Sequence, residues 1–213
     1  MPTSVPCRVA MPQPLTEASS KPGADPLARL ASSLAGGGRA KGLPPVERWN
    51  PPYGGEIDMR IAADGTWFYK GSAIARPALV TLFSSVLRRD PERFVLVTPV
   101  ERLGITVEDA PFLAVEMAVE GEGESRRIAY RTNVDDLVAV GPDHPLRFDR
   151  GEQDAMKPYV LVRGGLWARL TRALTYDLLE FGEEREVGGT VLFGVAAASQ
   201  FFPVAPASEI AGL

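Results

Sequence analysis

The pattern of apolar and polar residues predicts a chain built mainly from short β-strands. Apolar residues alternate with polar ones or form short continuous runs, as they do in strands buried on one face or on both. Nine segments carry this pattern: residues 57–61, 66–70, 94–98, 112–119, 127–132, 137–140, 146–148, 159–163 and 191–195. Glycine, proline and aspartate lie between many of them, so the strands are joined by frequent turns.

Helical spacing replaces the alternation in two segments. Between Pro77 and Arg89, apolar residues recur three and four positions apart, and Pro77 suits a first helical turn because its missing N–H has no partner there. Five large apolar residues have a similar spacing in residues 166–181: Trp167, Leu170, Leu174, Leu178 and Phe181. We predict one helix over each segment, with Arg88 near the end of the first.

A six-residue match between these regions indicates an internal repeat. Residues 71–76 and 164–169 both read glycine, two residues, a large apolar residue, alanine and arginine. A predicted strand precedes each copy and a predicted helix follows it. We therefore expect an α+β fold of two β-rich halves with a repeated strand–helix–strand motif, at residues 46–133 and 134–205. A cleft between the halves is the natural place for a ligand.

The two ends of the chain differ in composition from these halves. Residues 1–45 are rich in proline, alanine, serine and glycine, and such a segment buries too little apolar surface to offset the entropy of ordering. We expect this segment to be a disordered tail. We also expect residues 206–213 to be frayed, as terminal residues commonly are.

Charge and cysteine content exclude several classes of protein. The 213 residues carry a net charge of -4 with a pI near 5.2, which argues against a general nucleic-acid-binding protein. No run approaches the ~18 apolar residues of a membrane span, and no secretory signal is visible. The single cysteine and single histidine exclude an internal disulfide and a Cys/His zinc cluster. We expect a reduced, cytoplasmic protein without a cofactor or a bound metal.

Arg76 and Arg169 end the two copies of the repeated motif, at or inside the first turn of the predicted helices. The helix dipole disfavours a cation there by up to ~1 kcal/mol, so a partner should offset this cost. One interpretation is an ion pair with a nearby carboxylate such as Glu101 or Asp109. The other is that the guanidinium groups bind a phosphate or carboxylate ligand. Two further arginines belong to this second hypothesis: Arg147 and Arg163.

Three carboxylates, Glu101, Glu108 and Asp109, admit several interpretations. Two of them could act as acid and base if their environments separated their pKa values. As ligands of a cation, their oxygen atoms would favour magnesium or calcium. The simplest interpretation is structural, because Asp109 precedes Ala110-Pro111 in a loop, where aspartate commonly binds the backbone two residues further on.

His144 and Asn133 are the remaining polar candidates. His144 precedes Pro145, which holds the histidine backbone extended and suits either a structural hydrogen bond or a ligand contact. Asn133 lies where the two expected halves meet, so its amide suits the connection between them or a ligand. Four aromatic residues are assigned to the core from their places in the strand and helix patterns: Trp67, Phe68, Trp167 and Tyr176.

Several short motifs together resemble a known bacterial family. They are Leu43-Pro44-Pro45, Trp49-Asn50-Pro51, Asp64-Gly65-Thr66-Trp67-Phe68, Arg76, Thr98-Pro99-Val100-Glu101, Val107-Glu108-Asp109-Ala110-Pro111-Phe112, Thr132-Asn133, His144-Pro145-Leu146-Arg147, Tyr159, Val162-Arg163, Tyr176 and Leu178-Leu179. Over roughly residues 43–204 the chain resembles the bacterial domain-of-unknown-function family 1285. The resemblance implies two domains with a repeated motif, and a C-terminal half loosely like a pleckstrin-homology barrel. It also implies a pocket between the domains for a nucleotide-like molecule and a role in signalling, without catalytic activity.

We therefore expect a non-enzymatic small-molecule-binding or regulatory protein whose anionic ligand lies between the two halves. One alternative is a protein–protein interaction module, which would present an exposed apolar patch. A third hypothesis is a hydrolase that uses Glu101, Asp109 and His144 within reach of one point. The residues expected to bind the ligand are Arg76, Thr98, Glu101, Asp109, Asn133, His144, Arg147, Arg163 and Arg169.

Overall fold

A computed structural model of the chain describes residues 42–151 and 155–210. Of the two expected flexible ends, residues 1–41 and 211–213 lie outside the described residues. The described part is mainly β, with short helices. Its fifteen strands are β1 Tyr53–Ile61, β2 Trp67–Tyr69, β3 Ser72–Ala73, β4 Leu87–Asp90, β5 Arg93–Val97, β6 Arg102–Val107, β7 Phe112–Glu120, β8 Arg127–Thr132, β9 Leu137–Ala139, β10 Leu146–Arg150, β11 Met156–Arg163, β12 Leu166–Leu170, β13 Gly182–Val187, β14 Thr190–Ala197 and β15 Gln200–Pro206.

Three short α-helices accompany these strands in the described residues. They are α1 Pro77–Ser85, α2 Arg172–Leu179 and α3 Ala207–Ile210. Single turns of 3-10 helix lie at Val46–Arg48 and Gly123–Ser125. The expectation of β-rich halves is confirmed, whereas the helical content is smaller than the repeated strand–helix–strand motif predicts. In residues 42–151 and 155–210, no helix combines the length and apolar character that crossing a membrane requires.

The strands form two six-stranded mixed sheets and one three-stranded sheet. The first sheet has the order β3-β2-β1-β6-β5-β4, the second has β10-β11-β12-β7-β8-β9, and the third has β13-β14-β15. In each large sheet two three-stranded meanders meet at one parallel pair, which is β1 with β6 or β7 with β12. The two large sheets therefore have the same connectivity. The expected boundary at residue 133 lies between β8 and β9, which are paired neighbours in the second sheet.

The two copies of the six-residue motif take different positions in this shared order of strands. Gly71 lies in the turn between β2 and β3, and Gly164 lies in the turn between β11 and β12. In the first sheet the motif leads directly into α1, but in the second it runs through β12 before α2 begins. The repeat is therefore visible in the strand order of the two large sheets. The two copies of the six-residue motif, however, do not lie at equivalent positions in that order.

The predicted helix over residues 166–181 is wrong in its first part. Residues Leu166–Leu170 form β12, and only Arg172–Leu179 form a helix. Gly164 and Gly165 have φ of +47° and +74°, as a two-residue hairpin turn requires, so the chain folds back and β12 pairs with β11. Because Arg169 is a strand residue, the argument that placed it in a first helical turn does not apply to it.

The first predicted helix is also shorter than expected. It begins at Pro77 as predicted, but it ends at Ser85, and residues Leu87–Asp90 form the edge strand β4. Arg88 donates hydrogen bonds to the carbonyl oxygens of Val46 at 2.9 Å and Trp49 at 2.7 Å, and pairs with Asp90 at 2.8 Å. This arginine therefore anchors the segment that leads into β1 instead of ending a helix. Residues Arg102–Val107, which belong to none of the nine predicted segments, form strand β6.

One apolar core joins the two large sheets. Trp67 of β2 and Phe83 of α1 are almost completely buried, and their ring centroids lie 6.4 Å apart. The same cluster of buried residues includes Phe112 and Tyr130 of the second sheet and Leu178 of α2. Removing this apolar surface from water is the main force that holds the sheets and helices together.

Candidate functional site

A groove of about 450 Å³ lies where the start of β11 and the end of β12 meet α2. Lys157 and Arg169 line it from the strands, and Arg172, Tyr176 and Leu179 line it from the helix. Helix positions three, four and seven residues apart share one face, so the residues at 172, 175, 176 and 179 present a continuous wall. The groove is therefore built from one strand pair and one helix face.

The local sequence places the cations of the groove close together. Thr171 caps α2, accepting a hydrogen bond on its side chain from the Leu174 N–H at 3.5 Å, so the helix starts directly after β12. This short connection keeps Arg169 and Arg172 at the same end of the groove. The antiparallel pairing of Tyr159 with Arg169 brings Lys157 to this end as well. Lys157, Arg169 and Arg172 therefore lie at the same end of the groove, although Lys157 is distant from the two arginines in the sequence.

Among the described residues that line the groove, the charged side chains are all cations. Lys157, Arg169 and Arg172 line it, and the side chains of Lys157 and Arg169 expose 38% and 25% of their surface. The carboxylate that faces two of these cations is Asp109, whose Oδ2 lies 2.8 Å from Arg169 Nη1 and 3.9 Å from Lys157 Nζ. A site of this composition inside an acidic chain favours an anion.

Asp109 is held from its other side by Tyr159. The phenol donates a hydrogen bond to Asp109 Oδ1 at 2.7 Å. Burial, together with this negatively charged acceptor, raises the pKa of Tyr159 above its ordinary value of 10.0, so the phenol stays protonated and keeps donating. Asp109 therefore binds the side chains of two strands, and the local backbone bond that we considered for it is not its main role. For Arg169, the ion-pair interpretation with Asp109 is confirmed.

Arg147 extends this cluster across the second sheet. Arg147, Tyr159 and Arg169 are register partners on β10, β11 and β12, so they form one row across three strands. The Arg147 guanidinium lies 4.7 Å from the ring centroid of Tyr159 and 4.6 Å from that of Trp167. It also pairs with Asp149 at 3.0 Å. Its charge is thus engaged by two rings and a carboxylate.

Arg163 lies at the junction of the two halves. Its guanidinium pairs with Asp136, donates to the Ser84 carbonyl oxygen at 2.9 Å and lies 4.9 Å from the ring centroid of Phe112. It also lines a cavity of about 320 Å³ with Pro44, Leu87 and Leu166. Its donors join a helix of the first half to a strand and loop of the second.

Thr98 and Glu101 lie together in the turn between β5 and β6. The Thr98 hydroxyl accepts a hydrogen bond from the Glu101 N–H at 3.1 Å and donates one to the Glu101 carbonyl oxygen at 3.1 Å. Thr98 is completely buried. These bonds close the turn, and they engage the backbone of Glu101 and the side chain of Thr98.

Asn133 and His144 make backbone contacts within the part of the chain that forms the second large sheet. Asn133 Oδ1 accepts a hydrogen bond from the Leu113 N–H at 3.1 Å, next to the start of β7. His144 Nδ1 lies 2.9 Å from the Leu161 carbonyl oxygen, which fixes the ring against β11. Among residues 42–151 and 155–210, no group of three histidine, cysteine, aspartate or glutamate residues could hold a metal ion.

Arg76 differs from its motif partner Arg169. It is the N-cap residue of α1, is exposed, and makes no ion pair with another described residue that would match the Arg169–Asp109 pair. It does not line the groove at α2. The structure thus brings together Asp109, Arg147 and Arg169 of the expected set, and places the others at separate turns and junctions.

Sequence reasoning missed three residues of the groove: Lys157, Arg172 and Tyr176. Tyr176 was assigned to the core, but 57% of its surface is exposed, and its hydroxyl accepts a hydrogen bond from Arg172 Nη2 at 3.2 Å. The spacing of four between Arg172 and Tyr176, which puts both on one helix face, was an available signal. For Lys157 the signal was its alternation with Tyr159 along one strand face.

Comparisons with known proteins agree with the arrangement of the sheets. Residues 44–110 match the family described as "Domain of unknown function (DUF1285), N-terminal domain". Residues 111–204 match "Protein of unknown function (DUF1285), C-terminal domain". These two matches meet between β6 and β7, where the first large sheet ends and the second begins. No curated protein matches the sequence.

Two solved structures are similar to this chain. A DUF1285 family protein from Silicibacter pomeroyi DSS-3 is 45% identical with a TM-score of 0.79, and the match covers 89% of this chain and 100% of that one. A DUF1285 family protein from Shewanella baltica OS155 is 27% identical with a TM-score of 0.47, over 58% of this chain and 91% of that one.

Proposed function

This chain belongs to the DUF1285 family, and we propose that it is a non-enzymatic protein that binds an anionic small molecule in the groove between β12 and α2. The proposal moves the ligand from the cleft between the halves, where the sequence led us to expect it, to the end of the second sheet. One contact from the first half remains part of the site, because Asp109 lies within residues 44–110 of the family match.

The observation that carries this proposal is the excess of cations among the described residues of the groove. Lys157, Arg169 and Arg172 line a space of about 450 Å³, and Asp109 neutralises only part of their charge. Arginine binds phosphate and carboxylate groups through paired N–H donors, and a partly enclosed site strengthens such bonds. An oxyanion would relieve the repulsion among the three cations.

A regulatory role is part of the proposal. The candidate acid and base groups have other partners in this fold, since Asp109 binds Arg169 and Tyr159 while the His144 ring binds a backbone carbonyl group. A protein that binds an anion without transforming it suits signalling. We also propose a loose likeness of the C-terminal half to a pleckstrin-homology barrel, on the basis of a β-rich half with one helix packed against its strands.

The test compares the thermal stability of the protein with increasing inorganic phosphate and succinate. A probe at ~100 times its Kd stabilises the folded state by about 2.7 kcal/mol, which is a rise of several degrees in Tm. We expect Arg169→Gln to abolish the rise. Arg76→Gln is the matched control, because it removes an arginine from the other copy of the motif, outside the groove. An equal rise in all three proteins would show a general salt effect and contradict the proposal.

A second candidate function, a protein-interaction module, is favoured by one separate observation. Val187 exposes 47% of its surface at the end of β13, which is an edge strand. Exposed apolar side chains on a sheet edge are suited to adding a strand from a partner. Val187→Lys should abolish association with such a partner and leave phosphate binding unchanged.

A further inference from the structure

The face of α2 that lines the groove changes from charged to apolar along its length. Arg172 lies in the first turn, Tyr176 one turn further on, and Leu179 near the end of the helix. With a rise of 1.5 Å per residue, about 10 Å separates the first of these positions from the last. The groove therefore offers a ligand two different environments within the length of a small molecule.

The strands place their cations at the charged end of this face. Arg169 is three positions before Arg172, and the pairing of Tyr159 with Arg169 puts Lys157 opposite residue 171, next to the helix start. Leu170, which lies between the two arginines in sequence, is 2% exposed and borders the groove from β12. The three cations are thus concentrated at one end of the groove.

Tyr176 gives the groove an exposed aromatic ring, which a purely polar ligand would not contact. Tyr176 is 57% exposed although it belongs to a helix whose other face is buried through Leu174 and Leu178. Arg172 donates hydrogen bonds to the Tyr176 hydroxyl at 3.2 and 3.4 Å, and the guanidinium lies 5.6 Å from the ring centroid. A held, exposed aromatic ring next to a cation cluster is suited to an apolar group attached to an anion.

We infer that the ligand of this groove is amphiphilic: a phosphate or carboxylate group joined to an apolar body, preferably an aromatic ring, of at most about 10 Å. The oxyanion binds Lys157, Arg169 and Arg172, and the apolar body lies on Tyr176 and Leu179. This inference rests on the proposed anion-binding function, and it adds the chemical class of the ligand.

The test measures the Kd of phenyl phosphate and of inorganic phosphate by isothermal titration on the full chain. We expect phenyl phosphate to bind about tenfold more tightly, a difference of about 1.4 kcal/mol. Tyr176→Ala should remove this difference and leave the Kd of inorganic phosphate within about twofold, whereas Tyr176→Phe should retain most of it. Circular dichroism of each variant checks that it is folded. Because Tyr176 is exposed, we expect both substitutions to leave the fold intact.

The possible results separate the two proposals. Equal affinity for phenyl phosphate and inorganic phosphate, both lost in Arg169→Gln, would overturn the amphiphilic ligand and support the anion site. Binding of neither probe at millimolar concentration would overturn both. A tenfold preference that survives Tyr176→Ala would place the apolar body elsewhere and contradict this inference.

Discussion

The Arg169 guanidinium donates a hydrogen bond to the Asp109 carboxylate at 2.8 Å, across a separation of 60 positions in the sequence. The two residues belong to different family matches, since Asp109 lies within residues 44–110 and Arg169 within residues 111–204. The side chain of Asp109 is 16% exposed. This ion pair therefore connects the two halves at the groove, and it offsets part of the positive charge there.

Replacing Asp109 with asparagine should raise anion affinity and lower stability. The substitution keeps the size of the side chain but removes the charge that competes with a bound anion for Arg169. We expect a gain of about 1 kcal/mol in the binding of inorganic phosphate, roughly fivefold in Kd. The free energy of unfolding in urea should fall by about 1–3 kcal/mol, because a hydrogen bond to a charged group is weakened. Weaker phosphate binding in Asp109→Asn would show that the carboxylate mainly positions Arg169.

Arg163 should contribute to stability and not to binding in the groove. Arg163→Met removes the donors that Asp136 and the Ser84 carbonyl oxygen now use, and both groups are partly buried. We expect the free energy of unfolding in urea to fall by about 2–3 kcal/mol, with unchanged phosphate affinity. Arg147→Met is the control, because the side chain of Arg147 is 45% exposed whereas that of Arg163 is 22% exposed. Equal stability of the wild type and Arg163→Met would refute this role at the junction.

Gly194 and Gly104 form a matched pair for a test of close packing. A methyl group on Gly194 would lie 2.5 Å from the Phe202 carbonyl oxygen and 2.6 Å from an atom of the Phe201 ring. The three atoms nearest to a methyl group on Gly104 would all belong to the carboxylate of Glu56, an exposed side chain that can move away. We expect Gly194→Ala to lower the free energy of unfolding by about 1–3 kcal/mol, and Gly104→Ala to cost clearly less.

The turn between β14 and β15 should be open to stabilisation. Ala198 and Ser199 have φ of +50° and +60°, a left-handed conformation that costs about 1–2 kcal/mol for a residue with a side chain. The double change Ala198→Asn with Ser199→Gly should raise the Tm by several degrees, since these residues favour such a hairpin turn. The reverse change, Gly188→Ala with Gly189→Ser in the turn between β13 and β14, should lower it. An unchanged or lower Tm in the first variant would mean that the side chains at 198 and 199 make stabilising contacts.

Glu108 should make stability depend on acid pH. The Ala63 N–H and the Arg60 guanidinium bind its carboxylate and lower its pKa below the ordinary value of 4.5. The carboxylate thus stabilises the folded state above pH 4.5, and this contribution disappears as the pH falls through the lowered pKa. Glu108→Gln should therefore lose less stability than the wild type between pH 5 and pH 3, as measured by urea denaturation at about half-unit intervals.

The control for this pH series is Glu92→Gln. Glu92 is 82% exposed and lies 3.7 Å from Arg93, so its removal changes the net charge without removing a backbone contact of the kind that Glu108 makes. Its curve should run parallel to that of the wild type. If the Glu108→Gln curve also ran parallel to the wild type, Glu108 would not be a source of the acid sensitivity.

The sequence by itself determined most of the strands and the family. Strands such as Arg127–Thr132 and Phe112–Glu120 were predicted from alternation, because a strand with one buried face repeats every two residues whatever its partner is. The start of α1 at Pro77 was predicted for a similar local reason, since proline fits the first turn of a helix. These features depend on neighbours within a few positions.

Where a local pattern fits both a helix and a strand, the tertiary structure decided between them. Leu166, Leu170, Leu174 and Leu178 are spaced by four, which fits one face of a helix and also one face of a strand. The pairing of Leu166–Leu170 with β11 and β7 made that part a strand. The turn at Gly164-Gly165 was a local signal for a strand after it. The sequence alone did not show that this signal outweighs the helical spacing, whereas the pairing of β12 does.

The groove was likewise decided by tertiary structure. The parallel pairing of β7 with β12 brings Asp109, just before β7, to Arg169, and no local pattern encodes a contact across 60 positions. The placement of Arg163 depends in the same way on the approach of α1 to the second sheet. Arginine is long and makes several hydrogen bonds, so its partners are set by which elements pack nearby, and the sequence alone identified the arginines but not what they bind.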